Sequence, residues 1–275
     1  MTTHQETPVP DGTQQEHTSR SRPDGPAPAL ARAQALLASL VPGGSVTPVA
    51  PGADVIDTTV PVPMLNGLVL TAAGHERADL DRALADAATR LPTWSMQVVG
   101  HSPTRAERSV AADHGLRELR RPTMVRSLAD LPEPDGAALS SATFRMVRTP
   151  EDRAAFTRVL DESFGTDDSH GRPFVTDEVL AHPAARVYVA VVDGQVAATG
   201  LSWLDEQGWL GIYSGGTVPA LRRRGLGRAL LLHRLAEGRR AGAHTAYLQS
   251  SAMGRSLHEK LGFVDSGDDV VYFTR

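Results

Sequence analysis

The sequence contains no cysteine. That excludes disulfides, thiolate metal sites and a cysteine nucleophile. No apolar run approaches the about 18 residues of a bilayer-spanning helix, and the polar first 28 residues lack the apolar core of a signal segment. An excess of positive charge is also missing: 28 Lys and Arg stand against 32 Asp and Glu, for a net charge of −4. This argues against a general nucleic-acid binder, because such proteins carry a basic surface. These absences lead us to expect a cytoplasmic protein with neither membrane nor nucleic acid as partner. What is present is a chain of 275 residues, 41% hydrophobic, with room for two domains of ordinary size.

Proline and glycine divide the chain. Residues 1–28 are rich in Thr, Gln, Pro, Asp and Ser and bury too little apolar surface to offset their ordering entropy, so a disordered tail is expected. Ten of the nineteen prolines fall before residue 64, which fits a loosely structured start. A short helix is expected over 29–40, stopped by Pro42-Gly43-Gly44. Paired prolines and an Asp-Gly step at 131–139 mark a linker. The expected organisation is an N-terminal domain over 29–130 and a C-terminal domain over 140–275.

The C-terminal part has a clear order of mixed α/β type. Strand signals at 143–147, 187–192, 196–204, 209–218 and 245–249 alternate with helix signals at 150–164, 225–240 and 255–261. Pro150 suits a first helical turn, with Glu151 and Asp152 at the positive end of the dipole. Asp193-Gly194 reads as a type I′ hairpin turn. The N-terminal part shows a fainter version of the same order, with strands at 68–70 and 94–99 and helices at 76–90 and 104–114. Its His114-Gly115-Leu116 step mirrors Leu261-Gly262-Phe263, so we read a degenerate internal repeat.

One loop stands out. Val218-Pro219 leads into Arg222-x-x-Gly225-x-Gly227, which opens a Leu-rich helix. Glycines let backbone N–H groups approach a diphosphate, and a helix start adds partial positive charge. Arg222, Arg223, Arg224 and Arg228 would add full charges. The pattern lacks the Gly-Lys-Ser/Thr of a P-loop and fails the third glycine of a dinucleotide fingerprint. Taken alone it also fits a basic surface turn ahead of a helix. The first half has Thr71-Ala72-Ala73-Gly74-His75 at the corresponding turn, without the Arg-x-x-Gly-x-Gly pattern.

A second signature follows at Leu257-His258-Glu259-Lys260-Leu261-Gly262-Phe263. The pair of motifs at this spacing, over about residues 142–275, resembles the GCN5-related N-acetyltransferase (GNAT) superfamily. The degenerate first half resembles tandem members of it. The resemblance implies a GNAT-like acyl-CoA N-acyltransferase fold, with acetyl-CoA as co-substrate in a splayed gap between the fourth and fifth strands, and no metal. It places the pantetheine arm on backbone groups of Thr217 and Val218. It places the diphosphate on N–H groups from Arg223 through Arg224, Gly225, Leu226 and Gly227 to Arg228, with Arg222 and Ser251 also on the cofactor side. The amine would attack the thioester directly.

Two positions depart from the family pattern. His258 stands where a Tyr is common, and Ser251 where an Asn is common. In the family the Tyr often protonates the departing thiolate. An imidazolium near 6.5 is a stronger acid than a phenol near 10, so His258 is the expected general acid. Candidate bases are Glu162, Asp167, Asp168, Asp205, Glu206, Tyr213 and Ser214, each of which also reads as an ordinary surface or core residue. Trp203 and Trp209 flank a hairpin, where they fit a pocket lining, and cross-strand packing explains them at least as well. His170 and His182 have no metal-ligand partner at useful spacing. Two functions are carried forward. The first is an N-acetyltransferase acting on a small-molecule or peptide amine, as a monomer or homodimer. The second is a non-catalytic acyl-CoA-binding regulatory module, with a different acyl donor as a variant of the first.

Overall fold

The computed structural model describes residues 25–131, 142–166, 170–267 and 270–275. Most of the tail expected over 1–28 and most of the linker expected at 131–139 lie outside these residues. The described chain is already helical at Pro26. α1 (Pro26–Leu40) begins with a proline in its first turn, where the missing N–H costs nothing. Next come β1 (Ser45–Ala50), β2 (Ala53–Asp57), β3 (Gly67–Leu70), α2 (Arg77–Arg90), β4 (Ser95–Val99), α3 (Arg105–Asp113), β5 (Arg117–Arg121) and β6 (Thr123–Ser127). The second half runs β7 (Ala142–Met146), α4 (Pro150–Phe164), α5 (Asp177–Ala181), β8 (Ala185–Val192), β9 (Gln195–Leu204), β10 (Trp209–Thr217), α6 (Leu226–Arg240), β11 (Thr245–Gln249), α7 (Ala252–Lys260), β12 (Val264–Asp265) and β13 (Val270–Thr274).

The order is mixed α/β, as the sequence indicates, and local chemistry sets many of the boundaries. Thr149 accepts from the Asp152 N–H ahead of Pro150, and Gly165 closes α4 in the left-handed region at φ 69°. Thr104 and Glu107 form a reciprocal capping box on α3. Asp193 and Gly194 both have positive φ, as a type I′ turn requires. The loosely structured start is corrected by the β1–β2 hairpin. Its prolines are tolerated because β1 is an edge strand with an irregularity between Pro48 and Ala50.

The strands form two mixed sheets, ordered β1-β2-β3-β4-β13-β5 and β12-β6-β11-β10-β9-β8-β7. Sheet membership does not follow the linker. β6, from the first half, pairs with β11 of the second, while β13, the last strand, inserts between β4 and β5 of the first. Each sheet is therefore completed by a strand from the other half. The two sheets also share an order. Each has an antiparallel hairpin, a third antiparallel strand, then a parallel neighbour: β3 with β4 in one, β10 with β11 in the other.

α1 lies between the sheets. Ala27, Ala31 and Ala38 meet Ile56, Val69 and Tyr272 of the first sheet, while Ala29 and Leu30 meet Tyr247 of the second. Leu37 and Val41 join the core formed by α4, β8 and β9. The small alanines let the helix sit close to both sheets. The Tyr272 hydroxyl donates to Gln249 Oε1 at 2.8 Å, and Arg32 pairs with Asp205 at 2.7 Å, tying the halves further.

Candidate active site

The site is built where β10 and β11 part. Their parallel pairing covers only Trp209–Thr245, Leu210–Ala246 and Gly211–Tyr247, although β10 continues to Thr217. On its other side β10 stays paired with β9, apart from a bulge in which Ser214 and Gly215 both oppose Gly200. Ser214 has φ 50°, an uncommon conformation for a residue with a Cβ, and its carbonyl accepts from Thr199 Oγ1 at 3.3 Å. The bulge turns β10 away from regular pairing beside the gap, and Gly215 is exposed there.

The gap ends at the start of α6. A short 3₁₀ turn at Pro219–Leu221 leads to Arg223, with φ 64°, and to Gly225, with φ 84°. Gly225 is the N-cap, and no side chain caps the helix. The first-turn N–H groups of α6 thus have no intrahelical or side-chain acceptor. Arg223, Arg224 and Arg228 are exposed around them, and the first turn holds no acidic residue. This is the chemistry of an anion cradle, and Gly225 is required for its backbone conformation. Leu226 is buried and anchors the helix below the loop. A Cβ at Gly227 would make only ordinary contact with Thr217 Oγ1, at 3.5 Å.

Other predicted residues have different settings. The Arg222 guanidinium donates to the carbonyls of Thr217 at 3.1 Å and Ser163 at 2.8 Å, bracing the end of β10 against α4. The Val218 N–H donates to Ala197 O at 3.0 Å, so it serves the sheet rather than the gap. Strand alternation turns the Thr217 groups the other way. Ser251 caps α7 by accepting from the Gly254 N–H at 3.1 Å. His258 is half-buried on α7, its ring edge-on to Phe263. Its Nδ1 lies 2.8 Å from Ser250 Oγ, which also lies 3.0 Å from Ser251 O. One hydroxyl proton cannot serve both. Given to the carbonyl, it leaves Ser250 to accept from Nδ1–H, and Nε2 then carries the lone pair. Burial, and then the charge of Arg234, hold the His258 pKa below the ordinary histidine value.

The candidate bases separate in the same way. Asp205 accepts from the N–H groups of Gln207 and Trp209 and pairs with Arg32, a structural role. Glu162 faces Arg158 at 3.7 Å on the outside of α4. Tyr213 shares a 2.6 Å hydrogen bond with Tyr247, and burial pushes its phenol well above the usual range, so it stays protonated. Trp203 is buried and stacks on His182, and His170 stacks on Phe164. Asp167 and Asp168 lie outside the described residues. Among the described residues, no group of three His, Asp or Glu is placed to hold a metal.

Arg234 was not anticipated. It lies on α6 and is 2% exposed. Its signal was available: Leu226, Leu230 and Arg234 recur at intervals of four along the buried face.

The first half has neither gap nor cradle. β3 pairs with β4 along its whole length, from Gly67–Ser95 to Leu70–Val98. α2 begins with Glu76 at its N-cap and Asp79 in its first turn, which would repel a diphosphate.

Residues 153–263 match the sequence profile of the acetyltransferase (GNAT) family. No curated protein matches the sequence. Among solved structures, a GCN5-related N-acetyltransferase from Kribbella flavida has a TM-score of 0.66 at 22% identity, covering 91% of this chain and 95% of its own. A GCN5-related N-acetyltransferase from Sphaerobacter thermophilus has a TM-score of 0.55 at 18% identity, covering 82% of this chain and 80% of its own. A functionally unknown conserved protein from Staphylococcus epidermidis has a TM-score of 0.60 at 11% identity, covering 84% and 94%. At these identities the likeness is one of fold, and it extends over both halves of the chain.

Proposed function

We propose that the chain, whose residues 153–263 match the acetyltransferase (GNAT) family, transfers an acetyl group from acetyl-CoA to a primary amine by direct attack. The observation that carries this reading is the gap beyond Gly211–Tyr247, which ends at the uncapped, arginine-flanked start of α6. The backbone N–H groups from Arg223 to Arg228 would hold the diphosphate, with Arg224 and Arg228 adding charge. Thr217 would meet the pantetheine arm. Val218 contributes shape more than hydrogen bonds, Arg222 holds the end of β10 in place, and Ser251 sets the start of α7. The thioester supplies an activated acyl group. The first half acts as a degenerate repeat that completes the fold and shapes the acceptor side.

Proton accounting assigns His258 a role wider than that of general acid. An amine arrives as an ammonium and must lose one proton before its nitrogen can bond to the acyl carbon. As the carbon–sulfur bond breaks, the thiolate takes up a proton. The amide nitrogen sheds a second proton, which leaves to water. A neutral imidazole with a basic Nε2 accepts the first proton. With its lowered pKa, the imidazolium then releases it readily to a thiolate with a pKa near 8.5.

The acceptor is proposed to be a small-molecule or peptide amine, and the enzyme to act in the cytoplasm as a monomer or homodimer. No helix among the described residues is long and apolar enough to cross a membrane. The competing reading is a non-catalytic acyl-CoA-binding module, and a variant uses another acyl donor. Thiol release from acetyl-CoA across a panel of amines separates them. Amine-dependent release supports transfer. Tight acetyl-CoA binding without release by any amine favours the module, and release from a longer acyl-CoA alone favours the variant.

A further inference from the structure

Arg234 is a buried cation without a carboxylate partner among the described residues. Its Nε donates to Ser202 Oγ at 3.0 Å, and its Nη2 donates to the carbonyls of Leu201 and of Tyr213, the latter at 3.0 Å. Leu201 and Tyr213 are the last regular β9–β10 pair before the bulge. The guanidinium therefore grips both strands at the point where the ladder slips. Gly200 makes room for it, since a Cβ there would overlap Nη1. Nη1 lies 3.9 Å from where a Gly215 Cβ would stand. Burying a charge without an opposite charge beside it is costly, so such a residue needs a purpose beyond packing. A leucine would serve packing better.

We infer that Arg234 is a positioning residue for acyl transfer: it clamps the β10 bulge beside the gap. The inference rests on the reading of the gap as an acyl-CoA site. The clamp holds the bulge in which Ser214 keeps its positive φ and Ser214 and Gly215 slip from regular pairing with β9, beside the gap where a thioester carbonyl would enter. The Arg234 charge, second to burial, also holds the His258 pKa below the ordinary value. Burial lowers the Arg234 pKa to about 9, opposed by Tyr188 of β8, so the guanidinium stays charged at neutral pH. On α7 itself, Arg255 is paired with Glu259 and Asp265. Ser250, at the end of β11, is neutral.

The test uses the full chain with R234M, which removes the charge and the clamp, and R234K, which keeps the charge but cannot bridge three acceptors. The imidazole of His258 is titrated by NMR, and kcat and KM are measured with acetyl-CoA. In R234M the His258 titration should move up towards that of an ordinary histidine. The acid limb of the rate profile should move with it, and kcat should fall about tenfold or more. In R234K the titration should stay near wild type while kcat still falls. A folded R234M with wild-type kcat overturns the inference. If R234M does not fold, wild-type kcat in R234K overturns the clamp. Calorimetry of acetyl-CoA binding to the wild type tests the underlying reading separately: absence of binding sinks the site assignment, while the His258 titration still reports on Arg234.

Discussion

A histidine in place of a phenol changes when the proton-handling group can act. A phenol near 10 is protonated throughout the physiological range, whereas an imidazole near 6.5 titrates just below it. The lowered pKa of His258 means that its neutral form prevails at pH 7. The rate should therefore be flat above neutrality and fall as pH drops through a value below 6.5; an acid limb above 6.5 would contradict this. His258→Ala should lower turnover by about 10²-fold with acetyl-CoA affinity unchanged, as checked by steady-state kinetics beside calorimetry. Gly225 makes a different demand, since at φ 84° a β-branched side chain is strained. Gly225→Val should cost about 1–2 kcal/mol of loop conformation, read as roughly tenfold weaker acetyl-CoA binding. At this scale the sequence shows the glycines and arginines of the loop through their spacing. It hides Arg234, because a charged residue in a helix normally reads as surface unless its four-residue phase with Leu226 and Leu230 is weighed.

In the proposed site, the element that sets affinity is the β10–α6 connection. Its helix has no side-chain cap and no first-turn carboxylate, which is unfavourable for the helix alone and favourable for an anion. Reversing Arg224 and Arg228 together (R224E with R228E) should weaken acetyl-CoA binding by about tenfold or more. The wild type should lose affinity as salt rises and the variant should lose less. Equal affinity in both proteins would remove the arginines from the cradle. Long elements with clear periodicity were legible: α4 was placed at its observed bounds, and β9, β10 and β11 to within a residue or so. The β1–β2 hairpin was not, because prolines at 42, 48, 51 and 61 resemble a loop until an edge position accommodates them. The short α5 and the splay of β10 from β11 depend on neighbouring elements and leave no local pattern.

Over the whole molecule, the exchange of β6 and β13 makes the halves dependent on each other. Neither strand announces its destination, since an apolar pentapeptide such as Val270–Thr274 suits any open sheet position of matching register. A boundary read from prolines follows chain order and is blind to that choice. Tyr272 and Phe273 are nearly fully buried in the first sheet. Loss of a buried aromatic costs about 3–5 kcal/mol, against a typical total of about 5–15 kcal/mol. Removing residues 270–275 should therefore abolish cooperative unfolding of the entire chain, and a truncated protein with an unchanged melting transition would contradict the interlocked architecture. One coenzyme A site is proposed, in the second half, between β10 and the start of α6. A crystal structure with acetyl-CoA tests it most directly. The diphosphate should lie on the N–H groups of residues 223–228 and the thioester between the β10 bulge and His258. A diphosphate bound in the first half, or anywhere away from the α6 N-terminus, would contradict it.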